Sequence, residues 1–276
     1  MKRRRGIEIA LATALLLAAL AASPAGAPRA ATERDADPAH AFELANATFA
    51  EGRYDEAADA FAAIAAQQGA SSALLFNLGN ACFRAGRIGD AVLAYEQALV
   101  LEPRSSSIAA NLRQVRGAAN LTPPETGAVS ALVSRLTVDG WARLASACLA
   151  IGCAALAAGR LLRARLAAQA SALRAIRLTT SVAFVAAALA AGATWQSLRQ
   201  LDRAVVVGDD LALRVAPFAS ATTSSPVGTG EVVVRERLHE GYALVRTADG
   251  RSGWLPTEHV RRVGDLPLPA SQQPPA

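Results

Sequence analysis

Twenty-one consecutive residues, Leu178–Leu198, carry no charged side chain and are bounded by Arg177 and Arg199. The hydrocarbon core of a bilayer takes about 20 apolar residues in helical form, so this run predicts a membrane span. Trp195, near its end, has the amphipathic ring that anchors at the membrane interface. A second run, Trp141–Leu162, has a shorter uncharged stretch, Leu144–Gly159, between Arg143 and Arg160, whose long stems can snorkel from the ends. A buried soluble helix is the alternative for this shorter run, and its nearness to the second run favours a hairpin.

Between the two runs stand Arg160, Arg163, Arg165, Arg174 and Arg177 without a single acid. Arginine-rich loops stay in the cytoplasm, which predicts that both flanking regions lie outside it. The overall charge of +5 is concentrated beside these apolar runs: residues 33–104 hold 11 acids and 5 bases, and residues 199–263 hold 9 bases and 8 acids. No basic stripe interleaved with aromatics appears, so nucleic acid is not an expected partner. With 52% apolar residues, about a quarter alanine and three cysteines, disordered, collagen-like and disulfide-framework classes are excluded.

The N-terminus agrees with this orientation. Lys2–Arg5 precede the apolar stretch Ile7–Ala22 and the small, turn-rich segment Ser23–Pro28. That order is a secretory signal peptide within residues 1–30, cleaved near Ala25 or Ala30, or an uncleaved signal anchor.

Residues 38–71 and 72–105 match at a shift of 34. Leu44 falls on Leu78, Asn46 on Asn80, Phe49 on Phe83, Gly52 on Gly86, Arg53 on Arg87, Ala57 on Ala91 and Phe61 on Tyr95. A 34-residue period with Leu78-Gly79, Ala91, Tyr95, Ala98 and Pro103 is the signature of the tetratricopeptide repeat (TPR), a helix–turn–helix unit. The first copy is degenerate, with Ala45 in the place of Gly79 and Gly69 in that of Pro103. Small residues at Gly79 and Ala91 let paired helices approach, Tyr95 and Phe61 fill the space between hairpins, and Gly52 and Gly86 reverse the chain. Ser105–Ala119 resembles a third first-helix and is expected to cap the stack.

After Arg199 the composition turns to short β-rich runs: Ala204–Val207, Leu211–Val215, Glu231–Arg235, Tyr242–Arg246 and Gly253–Leu255, separated by turn residues. Five such strands predict a small antiparallel barrel over residues 203–263. Leu211–Val215 and Asp249–Leu255, with Tyr242, resemble the bacterial SH3-like pattern. Tyr242 and Trp254 are a candidate aromatic ligand surface, and the competing reading places Trp254 in the core. Residues 264–276, rich in proline, read as a disordered tail.

The expected class is therefore multidomain: an all-α TPR repeat at 38–120, a linker at 121–140, a membrane helix at 141–162, a basic cytoplasmic loop at 163–177, a second membrane helix at 178–198 and a small all-β SH3-like barrel. Cys82, Cys148 and Cys153, and His40, His239 and His259, form no metal or nucleophile spacing. No phosphate-binding loop or serine elbow is present, so no cofactor, metal or catalytic residue is expected.

Candidate binding residues lie instead on the first helices of the repeat. Asn46 and Asn80 are equivalent, as are Asn77 and Asn111, and together they predict an amide ladder down the concave face. An amide offers a donor and an acceptor, which suits the backbone of an extended peptide. The arrangement partly resembles TPR grooves that clamp a terminal carboxylate, but Phe42 and Ser107 stand where those grooves place lysines.

The order of modules resembles BatE-type proteins of bacterial aerotolerance (Bat) operons, which combine TPR, two spans and SH3-like modules. The signal segment and the arginine loop place such a protein in the inner membrane with both modules in the periplasm. The resemblance implies, as partners, von Willebrand A-domain membrane proteins and a MoxR-type ATPase. Peptidoglycan is the alternative ligand, through the SH3-like module.

Overall fold

A computed structural model of the chain describes residues 38–122, 132–133, 135–162 and 170–267. The expected signal peptide, half of the 121–140 linker, Arg163, Arg165 and residues 268–276 lie outside the described residues.

Five helices open the described chain: α1 (Pro38–Ala50), α2 (Tyr54–Gln68), α3 (Ser72–Arg84), α4 (Ile88–Leu101) and α5 (Ser106–Ala118). The starts of α1, α3 and α5 are spaced by 34 residues, as are their ends, so the period seen in the sequence is the period of the fold. The turns explain why. Gly52 (φ 82°) and Gly86 (φ 81°) take the left-handed conformation just past α1 and α3. The following amides bond back five residues, Arg53 N–H to Thr48 O and Arg87 N–H to Cys82 O, which closes each helix end. Asn120 (φ 52°) takes the same role 34 residues on, with Leu121 N–H bonding to Arg116 O. Asparagine is the residue that best tolerates this conformation after glycine.

The packing follows the expected small–large complement. Tyr95 and Phe61 are fully buried, and a Cβ at Gly79 would stand 2.7 Å from the Tyr95 ring. Phe42 packs on Phe61 with ring centroids 5.8 Å apart, and Phe76 on Tyr95 at 6.1 Å, one period later. Phe42 thus faces the second helix of its own hairpin.

Two long helices follow, α6 (Val138–Leu162) and α7 (Ala170–Leu201), packed on each other as a hairpin. Both are long and apolar enough to cross a membrane. Their large apolar residues point away from the protein: Leu149, Ile151, Leu178, Val182, Val185 and Leu189 are all exposed. The seam between them is made of small residues, with Ala183, Ala187, Ala190 and Ser197 buried on α7 and Gly152 of α6 against Ala183. Small seams with large outward residues are the pattern of helices packing in lipid, where van der Waals fit rather than hydrophobicity joins them. The basic connection is shorter than the sequence predicts, because α7 begins at Ala170 and takes Arg174 and Arg177 into its first turns.

The C-terminal region is a seven-stranded antiparallel sheet, not the five-stranded barrel expected, and it is not closed. Its strands are β1 (Arg203–Val206), β2 (Leu211–Arg214), β3 (Thr223–Val227), β4 (Val232–His239), β5 (Tyr242–Thr247), β6 (Ser252–Pro256) and β7 (Val260–Arg262). The spatial order is β3-β2-β6-β5-β4-β1-β7. All five expected strands are present. The two additional ones are the edges: β3, Thr-Ser-Ser-Pro-Val, lacks apolar alternation and carries a proline, which a sheet tolerates at an edge.

Strand β1 joins the two folded regions. Ala204 and Val206 face the interior of the sheet, whereas Val205 enters the core of the helical repeats with Val232 and Val263. Gly89 on α4 makes this approach possible, since a Cβ there would lie 2.8 Å from Val206 O. Residues 264–267, expected within the tail, are docked on the repeats. Leu266 packs on their core, Pro267 O accepts from Ala70 N–H at 3.0 Å and Asp265 O from the Gln97 amide at 3.1 Å. Only Asp202 separates α7 from β1, and its carboxylate is held by Arg262 at 2.6 Å.

Candidate functional site

The four asparagines come together as two identical pairs. The Asn77 amide donates to Asn46 Oδ1 at 3.2 Å, and the Asn111 amide donates to Asn80 Oδ1 at 2.8 Å. Each pair spans two successive first-helices, α1 to α3 and α3 to α5, so the second contact repeats the first one period on. All four are half-buried. Pairing consumes one donor at Asn77 and Asn111 and one acceptor at Asn46 and Asn80, and leaves amide protons and carbonyls of both kinds along the same face. Asn80 also accepts from the Tyr95 hydroxyl at 2.7 Å. It is therefore tied into the core, and not the simple surface residue that its place in a groove implies.

Tyr242 and Trp254 also fall on one face, but Trp254 is half-buried on the outside of the sheet, a correction to its reading as core. The cause is alternation: Gly253 and Leu255 take the inward places, and a Cβ at Gly253 would stand 2.6 Å from Leu213 Cβ. Trp254 is paired across strands with Leu244 and Arg214, and Tyr242 with His239 and Pro256. The His239 ring meets Trp254 edge-on at 6.2 Å. An aromatic row flanked by arginine is a surface that can stack on a planar or sugar-like ligand.

The cysteines are placed as expected: Cys82 is buried in the repeat and Cys148 and Cys153 lie on α6. Burial pushes the Cys82 thiol up to about 12, which keeps it protonated and unreactive.

The polar residues that the sequence reading missed lie where the repeats meet the sheet. Glu96, 5% exposed on α4, pairs with Arg116 of α5 and lies 3.6 Å from Arg203 of β1. The neighbouring Gln97, equally buried, holds the docked Asp265 carbonyl. A signal was available. One period earlier the same positions are Ala62 and Ala63, both exposed. An acid and an amide inside the apolar run Ala91–Leu101 thus mark a helix whose outer face is covered, by Arg116, Arg203 and Asp265.

With the 34-residue geometry established, the family comparison is direct. Residues 72–105 match the tetratricopeptide repeat model. The match covers the second hairpin, α3 and α4, with its Pro103. Repeats of this type mediate protein–protein interaction. No curated protein and no solved structure matches the chain.

Proposed function

We propose that the chain is a non-catalytic inner-membrane scaffold that holds an extended segment of another envelope protein against its TPR face. The observation that carries this reading is the duplicated amide contact, Asn46–Asn77 and Asn80–Asn111. Residual donors and acceptors at a fixed period match the repeating N–H and C=O groups of an extended backbone. The arginine-rich connection supports a cytoplasmic hairpin tip, with the repeats and the SH3-like sheet in the periplasm. In that setting the resemblance to BatE-type proteins favours von Willebrand A-domain membrane proteins as the partners, within a Bat/MoxR-type assembly.

The test has to respect the hydrogen bonds. Truncating Asn80 alone strands the Tyr95 hydroxyl and the Asn111 amide, at about 1–3 kcal/mol. Replacing Asn46 and Asn77 together removes both ends of one pair and leaves no partner unsatisfied. The double variant Asn46→Ala, Asn77→Ala is expected to fold with unchanged circular dichroism while recovering at least tenfold less partner in a crosslinking pull-down from membranes. Unchanged recovery would sink the groove.

Topology has its own test. A reporter active only outside the cytoplasm should work when fused after Pro267, beyond the docked segment, and fail within Ala167–Ala172. The reverse pattern would remove the periplasmic reading.

The outward row of Tyr242, His239 and Trp254 favours a second ligand, peptidoglycan or its stem peptides. Because Trp254 is half-buried, Trp254→Ala should leave the chain folded, at a cost of about 1 kcal/mol. Loss of sedimentation with purified sacculi, without loss of partner recovery, would assign this face to the cell wall. Retained sedimentation would exclude it.

A further inference from the structure

We infer that the arginine end of the membrane hairpin is a binding site for the phosphodiester headgroup of an anionic phospholipid. This inference rests on the membrane reading above. A cavity of about 400 Å³ opens there between the two helices, lined by Gly159 and Arg160 of α6 and by Ile176, Arg177, Thr180 and Ser181 of α7. Its shape comes from Gly159, where a Cβ would stand 2.9 Å from Ile176 Cγ2, so the backbones approach at that level. The close approach brings Arg160 and Arg177 to one opening from opposite helices.

The chemistry of the lining is that of an anion site. Residues 140–201 contain no Asp or Glu, and Asp139, in the first turn of α6, is 21 residues before Arg160, at the other end of the helix. Thr180 donates its proton to Ile176 O at 2.8 Å, while the Ser181 hydroxyl stands at the opening as a further donor. Two guanidinium forks and a hydroxyl suit the oxygens of a phosphate, which guanidinium binds in a bidentate way.

Position selects the lipid over a free anion. Arg177 and Arg199 bound the uncharged run of α7 at 22 residues apart, which at 1.5 Å per residue is about 33 Å, close to the thickness of a hydrocarbon core. Trp195, with Arg199 over its ring at 5.4 Å, occupies the opposite interface. The cavity therefore lies at headgroup depth, and Leu156 carries its lining toward the acyl region. Basic pockets between membrane helices on the cytoplasmic side are known receptors for acidic headgroups, and each arginine near such a surface contributes about fivefold in affinity.

The experiment uses the full chain in phosphatidylcholine nanodiscs doped with phosphatidylglycerol, with lipid retention read by native mass spectrometry. Arg160→Gln with Arg177→Gln should lower phosphatidylglycerol retention by about 25-fold. The matched pair at the other end, Arg143→Gln with Arg199→Gln, should leave it within twofold, and Arg160→Lys with Arg177→Lys should restore part of it. Excess inorganic phosphate should not displace the lipid. Equal retention in the Arg160/Arg177 variant, or an equal fall in the Arg143/Arg199 variant, overturns the site. Displacement by phosphate overturns the lipid as its ligand. Extraction of the wild-type chain from membranes by alkaline carbonate would overturn the membrane reading and this site together. A chain that resists extraction while the variant keeps its lipid overturns the site alone.

Discussion

Replacing Glu96 by alanine is expected to destabilise the folded chain by about 3–5 kcal/mol. The side chain is buried between α4, α5 and β1, where it is the carboxylate facing Arg116, whose side chain is 12% exposed, and Arg203. Removing it leaves the Arg116 guanidinium without this carboxylate in a largely buried place between α4 and α5. Arg203, 25% exposed, can turn to solvent, whereas Arg116 cannot without unpacking α5. Much of the cost should therefore fall on Arg116, and Glu96→Leu combined with Arg116→Leu should recover most of it, because an apolar pair of similar volume needs no counter-charge. Chemical denaturation of the detergent-solubilised chain measures the loss, and amide hydrogen exchange locates it. Exchange in β1 and β4 should accelerate first, since the seam is what holds the sheet to the repeats. A loss below about 1 kcal/mol with unchanged exchange would show that the seam is held by Val205 and the docked segment alone.

Tyr95→Ala should cost a similar amount, about 3–5 kcal/mol, by a different mechanism. The ring is fully buried against Gly79 and Phe76, and its hydroxyl donates to Asn80. Truncation opens a cavity between α3 and α4, where the ring fills the space over Gly79. Tyr95→Phe isolates the hydrogen bond and should cost only about 1 kcal/mol. Gly79→Val tests the same joint from the other side: a side chain there meets the ring below contact distance and should cost about 1–3 kcal/mol. Helical signal followed through urea titration distinguishes the three. If Tyr95→Ala and Tyr95→Phe lose the same amount, the ring contributes little and the packing account of the repeat is wrong.

These two residues mark the boundary between what can be read along a chain and what cannot. Tyr95 was legible because its function is local: it contacts residues within one 34-residue period, and that period is written twice. The same holds for the left-handed turns at Gly52 and Gly86, for the alignment of asparagines one period apart, and for two helices whose length and lack of charge match a bilayer. Five of seven strands were visible because an apolar side chain alternates along each. The edge strand β3 was not, since an edge needs no inward apolar row and its Pro226 reads as a turn.

Tertiary structure alone decided the rest, because the deciding contacts join residues far apart in sequence. Val205 pairs with neither face by pattern, since Ala204, Val205 and Val206 are all apolar, and only the presence of α4 explains why both faces are buried. The Gln97–Asp265 contact spans 168 residues and turns the start of an expected tail into part of the core. Trp254 is large enough to be core, yet the register of β6 gives the inward places to Gly253 and Leu255. By itself the sequence determined the modules, through periodicities and run lengths contained within each. That one face of the sheet completes the core of the repeats, and that the chain runs through Asp202 into the second long apolar helix, follows from complementary surfaces that no local period encodes.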